Sequence, residues 1–154
     1  MNYKKNSKIL ESSLNKNGIL RLSLNCPENL NALSENMIEQ MQDYLNKASF
    51  DKQIRVIIIA GEGSTFSSGH DLKELKAARK NSDKGKKYFL KIMKKCSKMM
   101  KTIIRCPKPV IAEVSGTATA AGCQLVASCD LAYASSEAKF ATPGVNIGLF
   151  CSTP

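Results

Sequence analysis

Two segments rich in small residues each lie between a predicted strand and a predicted helix. The first is GEGSTFSSGHDL, residues 61–72, and the second is SGTATAAG, residues 115–122, in which no side chain is larger than threonine. The start of a helix leaves backbone N–H groups without partners, and these groups can bind an anion. Two such turns facing each other would form an oxyanion hole. Alternatively, the small residues only allow tight packing of helix on strand.

Several common catalytic patterns are absent from these segments. Neither contains GxGxxG or GxxxxGK[ST], the usual dinucleotide-binding and phosphate-binding loops. SSGHD places Ser68, His70 and Asp71 side by side, but a catalytic triad is a spatial arrangement that consecutive residues rarely form. The six cysteines form no CxxC pair and there is one histidine, so we expect no metal site. Scattered cysteines indicate a reducing compartment.

The elements that would position these segments alternate along the chain. Hydrophobic patterns predict strands over residues 18–24, 54–60 and 109–116, and two short strands in LAYAS and KFATP. They predict helices from the N-cap Ser34 through Ala48, over 88–103, and in a short segment ending near Cys129. The positions after Asp71 are a further predicted helix start. This order predicts an α/β fold.

The length of 154 residues suits one domain. We expect residues 1–17 to be a polar, partly disordered leader and residues 18–154 to be the core domain. The chain stops at CSTP without a closing helix, and we expect it to be a truncated chain or a gene fragment.

The net charge of +10 is compatible with nucleic acid, a membrane surface or a polyanionic small molecule as partner. However, the lysines between positions 84 and 108 alternate with an apolar stripe, which favours a solvated helix face. Low aromatic content argues against a stacking surface for single-stranded nucleic acid. The sequence contains no run of about 20 apolar residues of the kind that spans a membrane. The N-terminal segment lacks arginine and contains Glu11, so we expect a cytoplasmic protein, with the mitochondrial matrix as the alternative.

Several separated motifs resemble the enoyl-CoA hydratase/isomerase, or crotonase, superfamily. They are NCPENLNAL, FSSGHDLKEL, GTATAAGCQLVASCDLAYAS and KFATPGVNIGL, in the order in which the family has them. The resemblance implies a crotonase-like spiral of ββα units, here without the family's C-terminal helical region. It also implies an acyl-CoA thioester as ligand, a role in fatty-acid metabolism, no separate cofactor, and a homotrimer or a dimer of trimers when full length.

The resemblance also assigns site residues. The backbone N–H groups of His70 and Ala121 would form the oxyanion hole for the thioester carbonyl. The residues expected to line the groove for the CoA moiety, beside these two, are Leu30, Ala32, Ser68, Asp71 and Leu72.

The two catalytic glutamates of the family's hydratases are replaced. Their positions by motif are Gln124 and Gly144. Hydration needs one group to deprotonate water and another to protonate the α-carbon, and neither residue can do this. Hydratase activity is therefore expected to be weak or absent. We expect the nearby acids Glu113 and Asp130 to have structural or solvated roles.

Three alternatives remain open. SGHD also resembles decarboxylating members of the superfamily, in which the His70 ring would help to orient a carboxylate; the ring could equally be a bystander. The second alternative is a non-catalytic acyl-CoA-binding or interaction protein. The third is a product without function.

Overall fold

The computed structural model describes residues 9–148, which form eight strands, four α-helices and two 3-10 helices. The strands are β1 Leu10–Leu14, β2 Ile19–Leu24, β3 Val56–Gly61, β4 Thr65–Ser67, β5 Val110–Val114, β6 Thr117–Thr119, β7 Leu131–Ala134 and β8 Lys139–Ala141. The helices are α1 Glu35–Phe50, α2 Leu72–Ala78, α3 Lys86–Ile104 and α4 Ala121–Ala127, and the 3-10 helices are Pro27–Asn29 and Pro143–Ile147.

The strands form two sheets, and from β3 onward successive strands belong alternately to one sheet and the other. The larger sheet has the order β1-β2-β3-β5-β7 and the smaller one β4-β6-β8. All pairs are parallel except β1 with β2, which is antiparallel. Each pair β3–β4, β5–β6 and β7–β8 thus contributes one strand to each sheet, with helices between successive pairs. This confirms the predicted α/β class and its repeated ββα units.

Helices α1 and α3 cover the large sheet with one apolar face each. The period of 3.6 residues brings Met37, Met41 and Leu45 to the same face of α1, and all three are fully buried. On α3 the buried residues include Cys96 and Met100. Fully burying a side chain of this kind contributes about 1.5–3 kcal/mol, so these two stripes account for much of the stability of the core.

The predicted acidic side chains outside the site have structural roles. Glu113 accepts two hydrogen bonds from the guanidinium of Arg21, at 2.6 and 2.8 Å, across the large sheet. This contact lowers the pKa of the Glu113 carboxyl. Asp130 accepts a hydrogen bond of 2.7 Å from the amide of Val110 at the start of β5. Both carboxylates therefore hold strands in place.

The predicted polar leader is corrected at residues 10–14, which form β1. This edge strand buries only Leu10, and its other four residues are exposed, so its composition resembles that of a solvated segment. This segment is a strand because it pairs with β2, and its own sequence does not show this pairing. Leu14 lies opposite Leu20 and Leu10 opposite Leu24.

The remaining differences concern strand ends and short strands. Strand β3 begins at Val56, two residues after the predicted start. Strands β4 and β6 were not predicted, because three residues of small or mixed side chains carry no period. None of the helices within residues 9–148 is long and apolar enough to cross a membrane.

Candidate active site

The first small-residue loop, Ser68–Asp71, joins β4 to α2. Asp71 has extended backbone and caps α2, where its side chain accepts hydrogen bonds from the amides of Lys73 at 2.8 Å and Glu74 at 3.3 Å. Its other carboxylate oxygen accepts a hydrogen bond of 2.7 Å from Asn29. The carboxylate predicted to line a groove is therefore used to fix the loop.

A buried asparagine holds the neighbouring segment, residues 25–34, against this loop. Asn31 donates to the carbonyls of Glu62 at 2.8 Å and Thr65 at 2.7 Å, and accepts from the amide of Cys26 at 2.8 Å. Its φ is +49° and that of Leu30 is +52°, in the left-handed region that asparagine tolerates better than most residues. Asn31 therefore supplies both a tight turn and the partners of buried backbone groups.

Main-chain hydrogen bonds join the two segments directly. The amide of Ser68 donates to the carbonyl of Leu30 at 3.0 Å, and that of Leu33 donates to the carbonyl of Gly69 at 2.7 Å. The hydroxyl of Ser67 donates to the carbonyl of Asn31 at 2.9 Å. The first loop is thus fixed on both sides of Gly69.

The second loop leads from β6 into α4. Ala120 precedes the helix with φ +49° and ψ −124°, a conformation that costs a non-glycine residue of order 1–3 kcal/mol. No side chain caps the helix. Gly122 lies so close to β4 that an added Cβ would be 2.3 Å from the carbonyl oxygen of Ser67. Close packing, and not a side-chain cap, positions the start of α4.

The two loops lie in direct contact. A Cβ atom added to Gly69, whose φ is +86°, would be 2.9 Å from the Ala121 nitrogen and 3.0 Å from the Ala120 Cβ. The hydroxyl of Thr119 also donates to the carbonyl of Ser68 at 3.2 Å. Within residues 9–148 the amides of His70 and Ala121 donate no hydrogen bond. The structure therefore places Gly69, the neighbour of His70, against the start of α4 at Ala121.

The His70 side chain is largely buried. Its Nδ1 atom is inaccessible to solvent and has no hydrogen-bond partner among the residues that the structure describes. Burial lowers the pKa of the ring below its ordinary value, an effect that the backbone of Leu33 and the Glu74 carboxylate oppose. A ring with a lowered pKa is neutral at pH 7.

The other predicted groove residues differ in exposure. Leu30 and Leu72 lie at the surface beside the first loop, with 53% and 59% of their area exposed. Ser68 and Asp71 are half-buried, and Ala32 is buried. Two apolar side chains are thus presented to solvent next to the contact between the loops.

The two positions that the motif resemblance assigns to the family's glutamates follow the second loop. Gln124 is half-buried on the first turn of α4, and its backbone N–H donates to the carbonyl of Ala120 at 3.1 Å. Gly144 is buried in the 3-10 helix Pro143–Ile147. That helix follows β8, where the carbonyl of Ala141 accepts a hydrogen bond of 2.8 Å from Ala120. Position 124 therefore lies on the helix that Ala120 precedes, and position 144 follows the strand that is hydrogen-bonded to Ala120.

Sequence reasoning missed the residues that build the site without touching it. Asn31 is one, and the asparagine within NLNAL between a strand and a helix is the signal that could have found it. Glu74 is another. Its carboxylate accepts hydrogen bonds from the amide of Glu35 at 2.9 Å and from the hydroxyl of Tyr88 at 2.8 Å, which joins α2 to α1 and α3. Burial, with Glu74 beside it, raises the pKa of Tyr88.

Among residues 9–148, no group of three or more His, Cys, Asp or Glu side chains is arranged to hold a metal ion. The described cysteines, Cys26, Cys96, Cys106, Cys123 and Cys129, are free thiols. Burial raises the pKa of Cys96 to about 11 and, with Asp130 nearby, that of Cys129 to about 12. These two thiols are therefore protonated at neutral pH.

Relatives of known sequence match most of the chain. Enoyl-CoA hydratase domain-containing protein 3, mitochondrial, from Xenopus laevis is 56% identical over 138 residues, which are 89% of this chain and 45% of that protein. The human protein of the same name is 50% identical over 137 residues, which are 89% of this chain and 44% of it. The chain thus spans about half the length of these curated relatives.

Solved structures agree with this match. The crystal structure of human enoyl coenzyme A hydratase domain-containing protein 3 has a TM-score of 0.85 at 48% identity, and the match covers 94% of this chain and 55% of that one. An enoyl-CoA hydratase from Mycobacterium smegmatis has a TM-score of 0.86 at 42% identity, covering 94% and 54%. The crotonase-like fold is confirmed. A model of the family described as enoyl-CoA hydratase/isomerase matches residues 14–153, so the chain belongs to this family.

Proposed function

We propose that the protein binds an acyl-CoA and polarises the thioester carbonyl between the backbone amides of His70 and Ala121. The contact between Gly69 and the Ala121 nitrogen carries this proposal, since a Cβ atom at position 69 would lie 2.9 Å from that nitrogen and obstruct it. Neither amide donates a hydrogen bond within the described part of the chain. Two donors held by rigid loops can therefore converge on one oxygen.

Such donors act on charge that develops during reaction. When the α-carbon loses a proton or carbon dioxide and keeps the bonding electron pair, or when a nucleophile adds to the β-carbon of an enoyl thioester, negative charge moves to the thioester oxygen. Donors already in position stabilise that charge without reorganising, and one such donor is typically worth about 2.7–4 kcal/mol. The buried Ala121, 5% exposed, keeps water from competing at its amide.

The CoA moiety would lie along the surface formed by Leu30, Ala32, Ser68, Asp71 and Leu72. Leu30 and Leu72 offer exposed apolar area beside the loop contact. Lys73 lies next to them, with its ammonium group 3.0 Å from the side-chain oxygen of Asn29. The net charge of +10 favours a ligand that carries phosphates.

Hydration of an enoyl-CoA is proposed to be weak. The side-chain amide of Gln124 does not ionise near neutral pH, and Gly144 has no side chain. The proton transfers of hydration therefore lack the two carboxyl groups that usually carry them. General acid–base catalysis contributes about 10²–10⁴-fold, and this part of the rate would be lost. What remains is carbonyl polarisation, which suits acyl-CoA chemistry in fatty-acid metabolism that needs an enolate and little proton transfer.

Two other functions stay open as candidates on this site. A non-catalytic acyl-CoA-binding protein agrees with both replaced glutamates. A decarboxylase-like reaction needs enolate stabilisation and a group that orients the leaving carboxylate. The lowered pKa of His70 makes its ring neutral, so it could orient a carboxylate only as a hydrogen-bond donor. Loss of carbon dioxide from malonyl-CoA, abolished by His70→Ala, would favour the decarboxylase.

We also propose a mitochondrial location for the protein. The full-length protein is proposed to form a homotrimer or a dimer of trimers. The relatives from X. laevis and human have "mitochondrial" in their names, which favours the alternative location over the cytoplasm. Imaging of the protein with a C-terminal fluorescent tag tests the location. Sedimentation velocity tests the assembly.

Carbonyl polarisation can be measured directly. Butyryl-CoA labelled with ¹³C at the thioester carbonyl is bound to the protein, and the infrared stretch of the carbonyl is compared with that of the free ligand. We expect a shift to lower frequency, because hydrogen bonds weaken the C=O bond. Gly69→Ala should abolish the shift, whereas Gly63→Ala, also at positive φ but in the turn before β4, should keep it. Binding without a shift would contradict the proposal.

The proposed lack of hydratase activity has its own test. With crotonyl-CoA as substrate, the loss of enoyl absorbance should be slow. The double change Gln124→Glu with Gly144→Glu should raise the rate by about 10²-fold or more if the loops hold the carbonyl correctly. Rapid hydration by the unchanged protein would overturn this part of the proposal.

A further inference from the structure

A groove that no residue of the small-residue loops lines lies between the C-terminal half of α1 and the middle and end of α3. It encloses about 730 Å³ and is open to solvent. Its lining includes Asn46 and Phe50 of α1, and Met93 and Ser97 of α3, with Pro107 beyond the end of α3. None of the proposed site residues lines it, so it needs a separate explanation.

Four cations form a row along the α3 side of the groove. Lys94, Lys98, Lys101 and Arg105 all line it and all are exposed. Their spacings of four, three and four residues place them on one face of the helix, over a length of about 16 Å. An extended row of this kind matches an elongated anionic partner better than a single phosphate group.

These four cations differ from their neighbours on the same helix. Lys91 and Lys95 form ion pairs with Glu35 of α1, and Lys95 also pairs with Glu39. By contrast, none of the four groove cations forms an ion pair within residues 9–148, and no carboxylate lines the groove. Ion pairs thus form at one part of the α1–α3 pair, whereas the groove cations have none among the described residues, although Lys98 also borders a second cavity that Glu39 and Asp43 line.

Apolar area accompanies this charge. Phe50, the last residue of α1, has 87% of its surface exposed, and Met93 has 37% exposed. An aromatic side chain left in water beside a row of cations is typical of an interaction surface, where aromatic residues act as anchors. The groove thus offers exposed apolar side chains beside a row of cations.

We infer that this groove binds an acidic amphipathic helix of a partner protein. Acidic residues spaced four, three and four apart on such a helix would face the cation row, and its apolar residues would contact Phe50 and Met93. A flat membrane surface does not follow a concave groove. A second copy of this chain brings a net charge of +10 of its own, which opposes docking on a cationic surface.

The test uses a fluorescein-labelled helical peptide of 18 residues, with glutamates on one face and leucine and phenylalanine on the other. Binding is followed by fluorescence anisotropy. We expect saturable binding that weakens about tenfold or more in Lys94→Glu/Lys101→Glu and in Phe50→Ser. The matched controls are Lys86→Glu/Lys87→Glu, which removes the same charge from the exposed start of α3, and Leu131→Ser, which removes an exposed apolar side chain of β7.

The controls decide the outcome once thermal melts show that each variant is folded. Weakening by the groove variants and not by the controls supports the proposal. Absence of saturable binding overturns it, and so does equal weakening by Lys86→Glu/Lys87→Glu, which would show a general charge effect. Binding to vesicles of phosphatidylglycerol and phosphatidylcholine without peptide binding would assign the groove to a membrane. Self-association that Phe50→Ser abolishes would assign it to a second copy.

Discussion

The two loops of the candidate site reach the same place by different physical means. The first depends on side-chain hydrogen bonds: Asp71 caps α2, and Asn31 and Ser67 hold the backbone on either side. The second has no side-chain cap, and close approach between Gly122 and Ser67 fixes its position. The first loop should therefore tolerate polar replacements that keep a hydrogen bond, whereas the second should tolerate no added volume.

This difference separates two kinds of sensitivity. Losing one hydrogen bond leaves a buried group unsatisfied, at a cost of about 1–3 kcal/mol that other bonds in the network can limit. An added atom that overlaps backbone cannot be accommodated by a rotamer change, so the whole loop must move. The second loop is thus the less adaptable part of the site.

Gly122→Ala should have the largest effect. Its Cβ would lie 2.3 Å from the carbonyl oxygen of Ser67, so β4 and α4 must separate. We expect a loss of about 3 kcal/mol or more in the free energy of unfolding, measured by urea denaturation. Cys123→Ala, at the next position of the same helix, should cost much less. Equal costs would show that packing at Gly122 is not what positions the loop.

Asn31→Ala should come next. It removes the partners of the Cys26 amide and of the Glu62 and Thr65 carbonyls, and places alanine at φ +49°. We expect a loss of about 2–4 kcal/mol, measured in the same way. Asn36→Ala, at an exposed position of α1, is the control and should have little effect. A small loss for Asn31→Ala would mean that water can replace the amide.

Asp71→Ala should have a moderate effect. It removes the cap of α2 and the bond to Asn29, and the loss of a cap costs about 1 kcal/mol. Asp71→Asn should keep most of that stability, because asparagine caps equally well. Circular dichroism melts of both variants test this. If Asp71→Asn is as damaging as Asp71→Ala, the carboxylate charge matters and not the cap.

Ala120→Gly should have the smallest effect and the opposite sign. The backbone at φ +49° and ψ −124° strains alanine, whereas glycine adopts it freely. Greater freedom of the unfolded chain offsets part of this gain, so we expect a rise in stability of about 1 kcal/mol or less. Ala127→Gly, at the end of α4, should lower stability. A loss for Ala120→Gly would show that the strain at this residue is relieved elsewhere.

Local patterns predicted the long elements, because apolar residues repeat along them. The helix after Ser34 and the second helix agree with α1 and α3 to within a few residues. Motif resemblance predicted the ββα order and the two loops. The fold brings these loops into contact at Gly69 and Ala121, although no local pattern shows their proximity; the donor roles of His70 and Ala121 stay a prediction.

Other features depend on contacts distant in sequence and were not predictable. Strand β1 is ordered by pairing with β2, while its own residues are mostly exposed and polar. Asn31 gains its importance from carbonyls more than 30 positions away. The lysines of α3 were expected to form a solvated helix face, and the sequence did not show that Lys91 and Lys95 pair with acids of α1.

The close packing at Gly122 also limits how the site can change over evolutionary time. A new catalytic side chain cannot be introduced at that position, because even a methyl group would meet the backbone of β4. Position 124, one turn along α4, lies beyond this contact and already carries a larger side chain. Under the proposed function, this rigid loop would keep the carbonyl-binding geometry constant while residues beyond it change the reaction.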